Sequence, residues 1–333
     1  MQLIMDLFSS ACDAFGLTIS LRKTKVMFTP PPNTQYTEPN IYVKGTRLEV
    51  VDSFIYLGSS LSRDGTLDSE VLLRIEKATK SFGALENRVW SDRNITLKTK
   101  IVVYMACVLT ALLYSSETWT TYRKHIKLLE RAHQKFLRRV LNIRWDTFTP
   151  DTEVLSHAKV DSVESMIMRN QMRWAGHLIR MDDSRLPKRL FFGELKHGKR
   201  PSHKPKKRFK DVIKSNLKVM GLDSNDWQLS ANDRLYWRKS IYDGCRRFES
   251  NRIKSCNIKR ALRLNDLNSL PANLNRELSC DICGKLTLSK AGLASHKRSH
   301  QNRSPFRHST TCIHCGKVCK SSGGLKRHMK VHV

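Results

Sequence analysis

Leu3, Ile4, Leu7, Phe8, Cys12 and Phe15 recur at the spacing of one helical face, and Gly16 ends that run. Two β-like stretches follow, residues 17–20 and 26–29, and Pro30, Pro31 and Pro32 then interrupt the pattern. Residues 41–43 and 48–51 read as a hairpin around Lys44-Gly45, with a further short strand at residues 54–57. After Asp64-Gly65 the period lengthens. Val71, Ile75, Ala78, Phe82, Leu85 and Val89 fall every three or four residues, and a nearly apolar helix is expected over residues 97–115. A third helix is expected over residues 122–142, with Ile126, Leu129, His133, Phe136 and Val140 inward. On that stripe His133 reads as a buried, hydrogen-bonded core residue and not as a ligand. Asp161-Ser-Val-Glu164 resembles a capping box. The helix after it carries Ile167, Trp174 and Leu178 on one face and Arg169, Arg173 and Arg180 on the other. Further helices fit residues 209–220 and 226–248, and no internal repeat precedes residue 270.

Composition adds a partner class. The 333 residues carry 60 Lys and Arg against 30 Asp and Glu, a formal net charge of +30. An ordinary metabolic enzyme is not expected at that balance, and a polyanionic partner is: nucleic acid first, an anionic membrane surface second. Residues 1–100 hold 13 basic and 11 acidic side chains, whereas residues 101–333 hold 47 and 19, so a near-neutral head precedes a cationic body. The densest stretch, residues 185–218, has 13 basic and 2 acidic residues. Its centre, GKRPSHKPKKRFK at residues 198–210, contains Pro201 and Pro205, which oppose a helix. We expect an extended, mobile arm whose Lys199, Arg200, Lys204, Lys206, Lys207, Arg208 and Lys210 lie along phosphates without reading sequence. The same run suits a nuclear-localisation signal. The longest apolar run, residues 101–114, falls short of the roughly 20 residues of a membrane span, and the apolar stripe of the helix around Trp174 is narrow and short for a membrane surface, so no membrane partner is expected. The N-terminus lacks the early basic residues of a signal peptide, so the nine Cys read as thiols or metal ligands. Cys107 is expected as an inert core thiol, while Cys12, Cys245 and Cys256 have no partner at metal spacing. Trp119, Trp145, Trp174 and Trp227 are expected in the core and not as base-stacking platforms.

The strongest motif lies near the end. Cys280-x2-Cys283-x12-His296-x3-His300 is followed by Cys312-x2-Cys315-x12-His328-x3-His332 at identical spacing. Two Cys two residues apart fit a tight knuckle, and two His four apart share a helix face. Each set thus offers two thiolates and two imidazoles to one tetrahedral Zn2+, a closed structural site whose folding depends on metal. Leu293 and Leu325 occupy the helix position that packs a small core.

Both segments resemble C2H2 zinc fingers. By that resemblance Thr287 and Cys319 replace the usual core aromatic, and Ser289, Gly292, Ser295, Ser321, Gly324 and Arg327 are the base-reading positions. Small residues dominate there, so phosphate contact through Lys285, Lys290, Lys297, Arg298, Lys317, Lys320, Lys326 and Lys330 is expected over sequence reading, with only Arg327 able to reach a guanine.

Four stretches resemble the downstream part of a non-LTR retrotransposon reverse transcriptase. FGLTISLRKTKVM at residues 15–27 looks like the segment after the catalytic aspartates, and FIYLGSSLSRDG at residues 54–65 is similar to the primer-grip strand and turn. LLYSSETW at residues 112–119 resembles a thumb helix, and RWAGHLIRM at residues 173–181 a C-terminal landmark of these polyproteins. The resemblance implies a partial palm at residues 1–65, a helical thumb-like domain at 66–184, a basic arm with helices at 185–270, and zinc fingers at 278–301 and 310–333. The expected fold class is mainly α with a small β-containing head and two ββα fingers. An uncovered sheet edge and apolar face are expected in the head.

In that family three carboxylates hold two Mg2+ ions, two of them just upstream of the segment at which this chain starts. Asp182-Asp183 imitates the pair but follows a basic helix and reads as a C-terminal turn paired with nearby Arg. Lys23 matches a lysine near the nucleotide site, with no carboxylates to assist. The expected function is therefore a non-catalytic, zinc-dependent binder of RNA or DNA, with no small-molecule substrate. The alternatives are a polymerase fragment completed by its missing upstream part and a C2H2 transcription regulator.

Overall fold

The computed structural model describes residues 1–30, 34–193, 205–268, 278–287, 289–301, 315 and 328–329. Helices make up 62% of it, with a few two-stranded sheets. Compact units cover Met1–Ile253 and Lys254–Val333. That division falls within a helix.

The head begins with α1 (Gln2–Ala14), which ends where Gly16 takes φ +65°. Its apolar stripe is not inward as the spacing suggests. Leu3, Ile4, Leu7 and Phe8 are all exposed, and Ser9 is buried instead. Six short strands follow: β1 (Lys25–Val26), β2 (Tyr42–Val43), β3 (Thr46–Arg47), β4 (Glu49–Val50), β5 (Ser53–Tyr56) and β6 (Ser59–Ser62). Residues 17–20 form no strand, since no neighbouring backbone pairs with them along a ladder. β2 and β3 are antiparallel, Val43 opposite Thr46, across a turn in which Lys44 and Gly45 both have positive φ. That left-handed pair matches strand twist in tight hairpins. Leu57-Gly58 does the same between β5 and β6, which run from Ser53–Ser62 to Tyr56–Ser59. β1 pairs in parallel with β4. The head's core is small: Ile41, Val43 and Leu48, with Met5, Ile19 and Val26 against them.

A buried ion pair ties the β5–β6 hairpin to α2 (Asp68–Ala84). Arg74 Nε lies 2.6 Å from Glu70 Oε1, with both side chains almost fully buried. Glu70 also accepts from the Ser60 amide, and Arg74 donates to the Gly58 carbonyl. The expected second helix is α3 (Leu97–Val103), a π-helical turn (Tyr104–Leu109) and the short α4 (Thr110–Leu112). The wider turn buries Tyr104 and Val108 and leaves Cys107 exposed, so Cys107 is not a core thiol. The segment resembling a thumb helix breaks after Leu112. Ser115 adopts φ +64°, and Ser116–Thr118 form a 3₁₀ turn.

In α5 (Arg123–Val140) Ile126, Leu129, His133, Phe136 and Val140 are all buried. The Tyr104 hydroxyl lies 2.6 Å from His133 Nδ1. α6 (Asp151–Ala158) leads to α7 (Val163–Arg180). The α7 cap is Ser162, whose Oγ accepts from the Ser165 amide, and not the expected Asp161–Glu164 box. Glu249 accepts from the Ser162 backbone and hydroxyl, which fixes Ser162 as the cap. The start of α7 (Val163, Met166, Ile167) completes one core with α2, α3 and α5. Its later turns (Met168, Met172, Ala175, Ile179) join a second core. There they meet α9 (Phe209–Met220), α10 (Trp227–Asn232) and α11 (Arg234–Asn268), while α8 (Leu186–Phe192) adds Phe191 at the edge. Residues 226–248 are two helices and not one. Asp233 leaves helical geometry (ψ 108°) and accepts from the amides of Leu235 and Tyr236, an N-cap that restarts the chain as α11.

Candidate metal centre and cationic surfaces

Leu278, Cys280 and Leu293 supply the buried apolar residues around the metal-ligand motif. The Thr287 hydroxyl donates to the Leu278 carbonyl at 2.9 Å. A bridge between Ser279 and Leu286, and the Cys280 amide donating to Lys285 O at 2.9 Å, hold the two short arms together. Gly284 closes the knuckle: its amide reaches Cys280 O at 2.7 Å and its φ is +68°, a conformation that favours glycine. Ser289 starts α12 (Lys290–Gln301) by accepting from the Gly292 amide at 3.1 Å.

This local fold brings four donors to one point. Sγ of Cys280 and Cys283 and a ring nitrogen each of His296 and His300 all lie within 4.8 Å of one another. Cys283 Sγ to His296 Nε2 and His296 Nε2 to His300 Nε2 are each 3.1 Å. A tetrahedral ion with bonds of about 2.0–2.3 Å spaces its ligand atoms roughly 3.3–3.8 Å apart. The donor set therefore fits a metal ion. Desolvation raises the Cys280 thiol pKa, but hydrogen bonds from the Ile282 and Cys283 amides and the Cys283 thiol outweigh it and leave the pKa below its ordinary value. Burial lowers His296, with His300 and Lys285 adding to the effect. Both shifts favour the protonation states that ligate.

Of the second motif, Cys315 Sγ lies 3.1 Å from His328 Nε2. Cys312 and His332 lie outside the described residues, as do Cys319, Ser321, Gly324, Leu325, Lys317, Lys320, Lys326, Arg327 and Lys330. Among the described residues the Cys280 group is the one cluster of such donors that could hold a metal ion.

Several expected phosphate ligands have partners within the chain. Lys297 pairs with Asp281 at 2.7 Å, raising the lysine pKa and lowering the carboxylate's. Lys285, Lys290 and Arg298 are exposed. Ser289, an expected base-reading position, is occupied as the cap. In the basic arm, Lys199, Arg200 and Lys204 lie outside the described residues. The described part is docked, contrary to a free arm: Lys206 Nζ donates to Asp64 O at 2.6 Å, and the Lys207 amide donates to the Tyr122 hydroxyl at 3.0 Å. Arg208 caps α9 with Asp211, and Lys210, already inside α9, donates to Phe192 O.

Asp182-Asp183 is a turn. Hydrogen bonds from the Ser184 side chain and amide hold the Asp182 pKa low, and Asp183 pairs with Lys188 at 2.7 Å instead of an arginine. Among the described residues no helix is long and apolar enough to cross a membrane.

Folding also builds a cleft that the spacing alone did not assemble. Arg173, Trp174, His177 and Arg180 of α7 face Arg234 and Arg238 of α11 across about 490 Å³. The RWAGHLIR stretch carries half the signal, since its polar residues share one face. Its partner arginines lie some sixty residues on, and no local pattern links them. Trp119 and Trp227 are core residues, Trp174 is half-buried in the cleft wall, and Trp145 is exposed, contrary to expectation.

No protein-family profile matches the chain, and no solved structure matches it. It is 26% identical over 238 residues to a putative uncharacterized transposon-derived protein of Caenorhabditis elegans, an alignment covering 68% of this chain and 83% of that one.

Proposed function

We propose that this chain is a transposon-derived, zinc-dependent nucleic-acid-binding protein, descended from a non-LTR reverse transcriptase, that grips RNA or DNA mainly through phosphate. The observation that carries the reading is the closed Cys280, Cys283, His296, His300 group in a chain of net charge +30. Zinc suits two thiolates and two imidazoles, and four protein ligands leave no open position for chemistry, so the ion is structural. The likeness to a transposon-derived nematode protein supports a transposable-element origin. On this reading the chain binds without polymerising. The Asp182-Asp183 pair, which imitates a two-metal clamp in sequence, is already engaged by Ser184 and Lys188. A nuclear location belongs to the same proposal, supported by the basic run at residues 198–210, which suits a nuclear-localisation signal.

The test is competition binding by the zinc-loaded full chain near physiological salt. The competitors are structured RNA, RNA–DNA hybrid and a random duplex pool that is then sequenced. RNA or hybrid winning over an unenriched pool supports the reading. Enrichment of a duplex motif that depends on zinc replaces it with a sequence-specific regulator. Mg2+-dependent primer extension by the pure chain overturns its non-catalytic part.

A further inference from the structure

Several arginines on the helical surface of the Met1–Ile253 unit face a carboxylate: Arg123 meets Glu164, Arg138 meets Asp151, Arg139 meets Glu86 and Arg169 meets Asp161. The cleft between α7 and the start of α11 gathers arginines that do not. Arg173, Arg180, Arg234 and Arg238 line it together with His177, against a single carboxylate, Glu117. Arg173, Arg234 and Arg238 have no ion-pair partner among the described residues, and Arg180 donates to the Ala231 carbonyl. Burial lowers the Arg180 pKa and the charge of Arg234 adds to that, so these guanidiniums feel one another. Gathering like charges without counter-charges costs free energy, which an anionic ligand recovers.

The cleft also offers a stacking surface. Trp174 is half-buried in its wall, and its ring lies 5.4 Å from that of His177 at 51°. Behind it Trp237 is locked in the core, its indole N–H donating to Met172 O at 3.0 Å. Gly176 permits this: a Cβ there would lie 2.2 Å from Trp237 Nε1. The same contact fixes the start of α11, and hence Arg234 and Arg238, opposite α7. A volume of about 490 Å³ matches small-ligand sites, which run roughly 300–1,000 Å³. It accommodates an unstacked nucleotide or two. A paired duplex keeps its base faces stacked inside and presents none to Trp174.

We propose that this cleft is a binding site for single-stranded nucleic acid, with the guanidiniums of Arg173, Arg234 and Arg238 on successive phosphates and one base stacked on Trp174. The proposal rests on the nucleic-acid reading above and adds to it a site distant in sequence from the zinc motif and the basic arm. Guanidinium forks match phosphate oxygens, and aromatic stacking tolerates any base. The site therefore reads strandedness and not sequence.

The experiment is fluorescence-anisotropy titration of labelled oligouridylate and oligothymidylate with the zinc-loaded full chain over a range of salt. Arg234 and Arg238 are exposed, so Arg234→Ala with Arg238→Ala spares the core. The double variant is expected to reduce the magnitude of the log–log salt slope by about 1.4, at roughly 0.7 per phosphate on a single strand. Trp174→Ala is expected to weaken binding about 5- to 150-fold. Trp174→Phe, which keeps a stacking face, retains most of the affinity, and its thermal melt separates misfolding from lost stacking. If the wild-type chain binds both oligomers but none of these variants changes affinity or slope, the cleft is not the site and the broader function stands. If duplex competes as well as single strand, the single-strand assignment falls. If the wild-type chain binds no nucleic acid at all, this inference and the proposed function fall together.

Discussion

Replacing Gly176 by alanine tests the packing that shapes the cleft. Intrinsic preference favours the change, because alanine is better than glycine inside a helix by about 0.8–1.0 kcal/mol. The tertiary structure opposes it. The new Cβ would sit 2.2 Å from Trp237 Nε1 and 2.4 Å from its Cδ1. Trp237 is only 2% exposed and packs among Met172, Leu217 and Ile241, so it cannot swing aside without moving the second core. Overpacking of that kind costs about 1–3 kcal/mol, and losing the Trp237–Met172 hydrogen bond adds about 0.5–1.5 kcal/mol. Subtracting the helix gain leaves a net loss of about 0.5–3.7 kcal/mol. For a unit of this size each kcal/mol corresponds to about 2–4 °C, so the Tm should fall by roughly 1–15 °C. Calorimetry of the full chain at fixed zinc measures it. Adding Trp237→Phe, which shortens the ring edge facing Gly176, should make the pair less than additive. A Tm equal to or above wild type for Gly176→Ala would show that helix preference wins and that α7 and α11 do not meet as closely as described.

The Glu70–Arg74 pair should behave asymmetrically in urea unfolding. Glu70→Ala strands a buried guanidinium and should cost about 3–5 kcal/mol, whereas Glu70→Leu with Arg74→Met should cost much less. Burial pushes His133 down to a pKa of about 4, from 6.5, so the fold holds it neutral; its stabilisation is complete above pH 6.5 and is lost as pH falls toward 4. Denaturant titrations from pH 7.5 to 4 should show a loss on the order of 3 kcal/mol, which His133→Asn should largely abolish. Chelation should unfold residues 278–301, read as accelerated amide hydrogen exchange over Lys290–Gln301, with protection restored by Zn2+ and not by Mg2+. Protection that survives chelation would mean that this module folds without metal.

Local rules carry far where the determining contacts are local. The Cys280–His300 spacing anticipated the ligand cluster, because a knuckle and one helical turn suffice to bring those atoms together. The α5 stripe, the Lys44-Gly45 turn and the α9 limits were legible for the same reason. Local rules failed where remote residues arbitrate. The α1 stripe has the period of a buried face, yet Leu3, Ile4, Leu7 and Phe8 are exposed because the small sheets beside them cover little of it. Cys107 reads as core and is turned out by a π-helical turn whose benefit is the burial of Tyr104 against α5. Glu249 fixes Ser162 as the α7 cap from 87 residues away. The arm at Lys206 and Lys207 looks free, but Asp64 and Tyr122 hold it.

The sequence by itself determined the charge, the helical majority and the Cys2His2 ligand spacing, since each follows from composition or from periods of a few residues. Tertiary structure alone decided which charges are already paired and which gather around Trp174. Ion pairing and cleft formation depend on residues that meet only when helices pack.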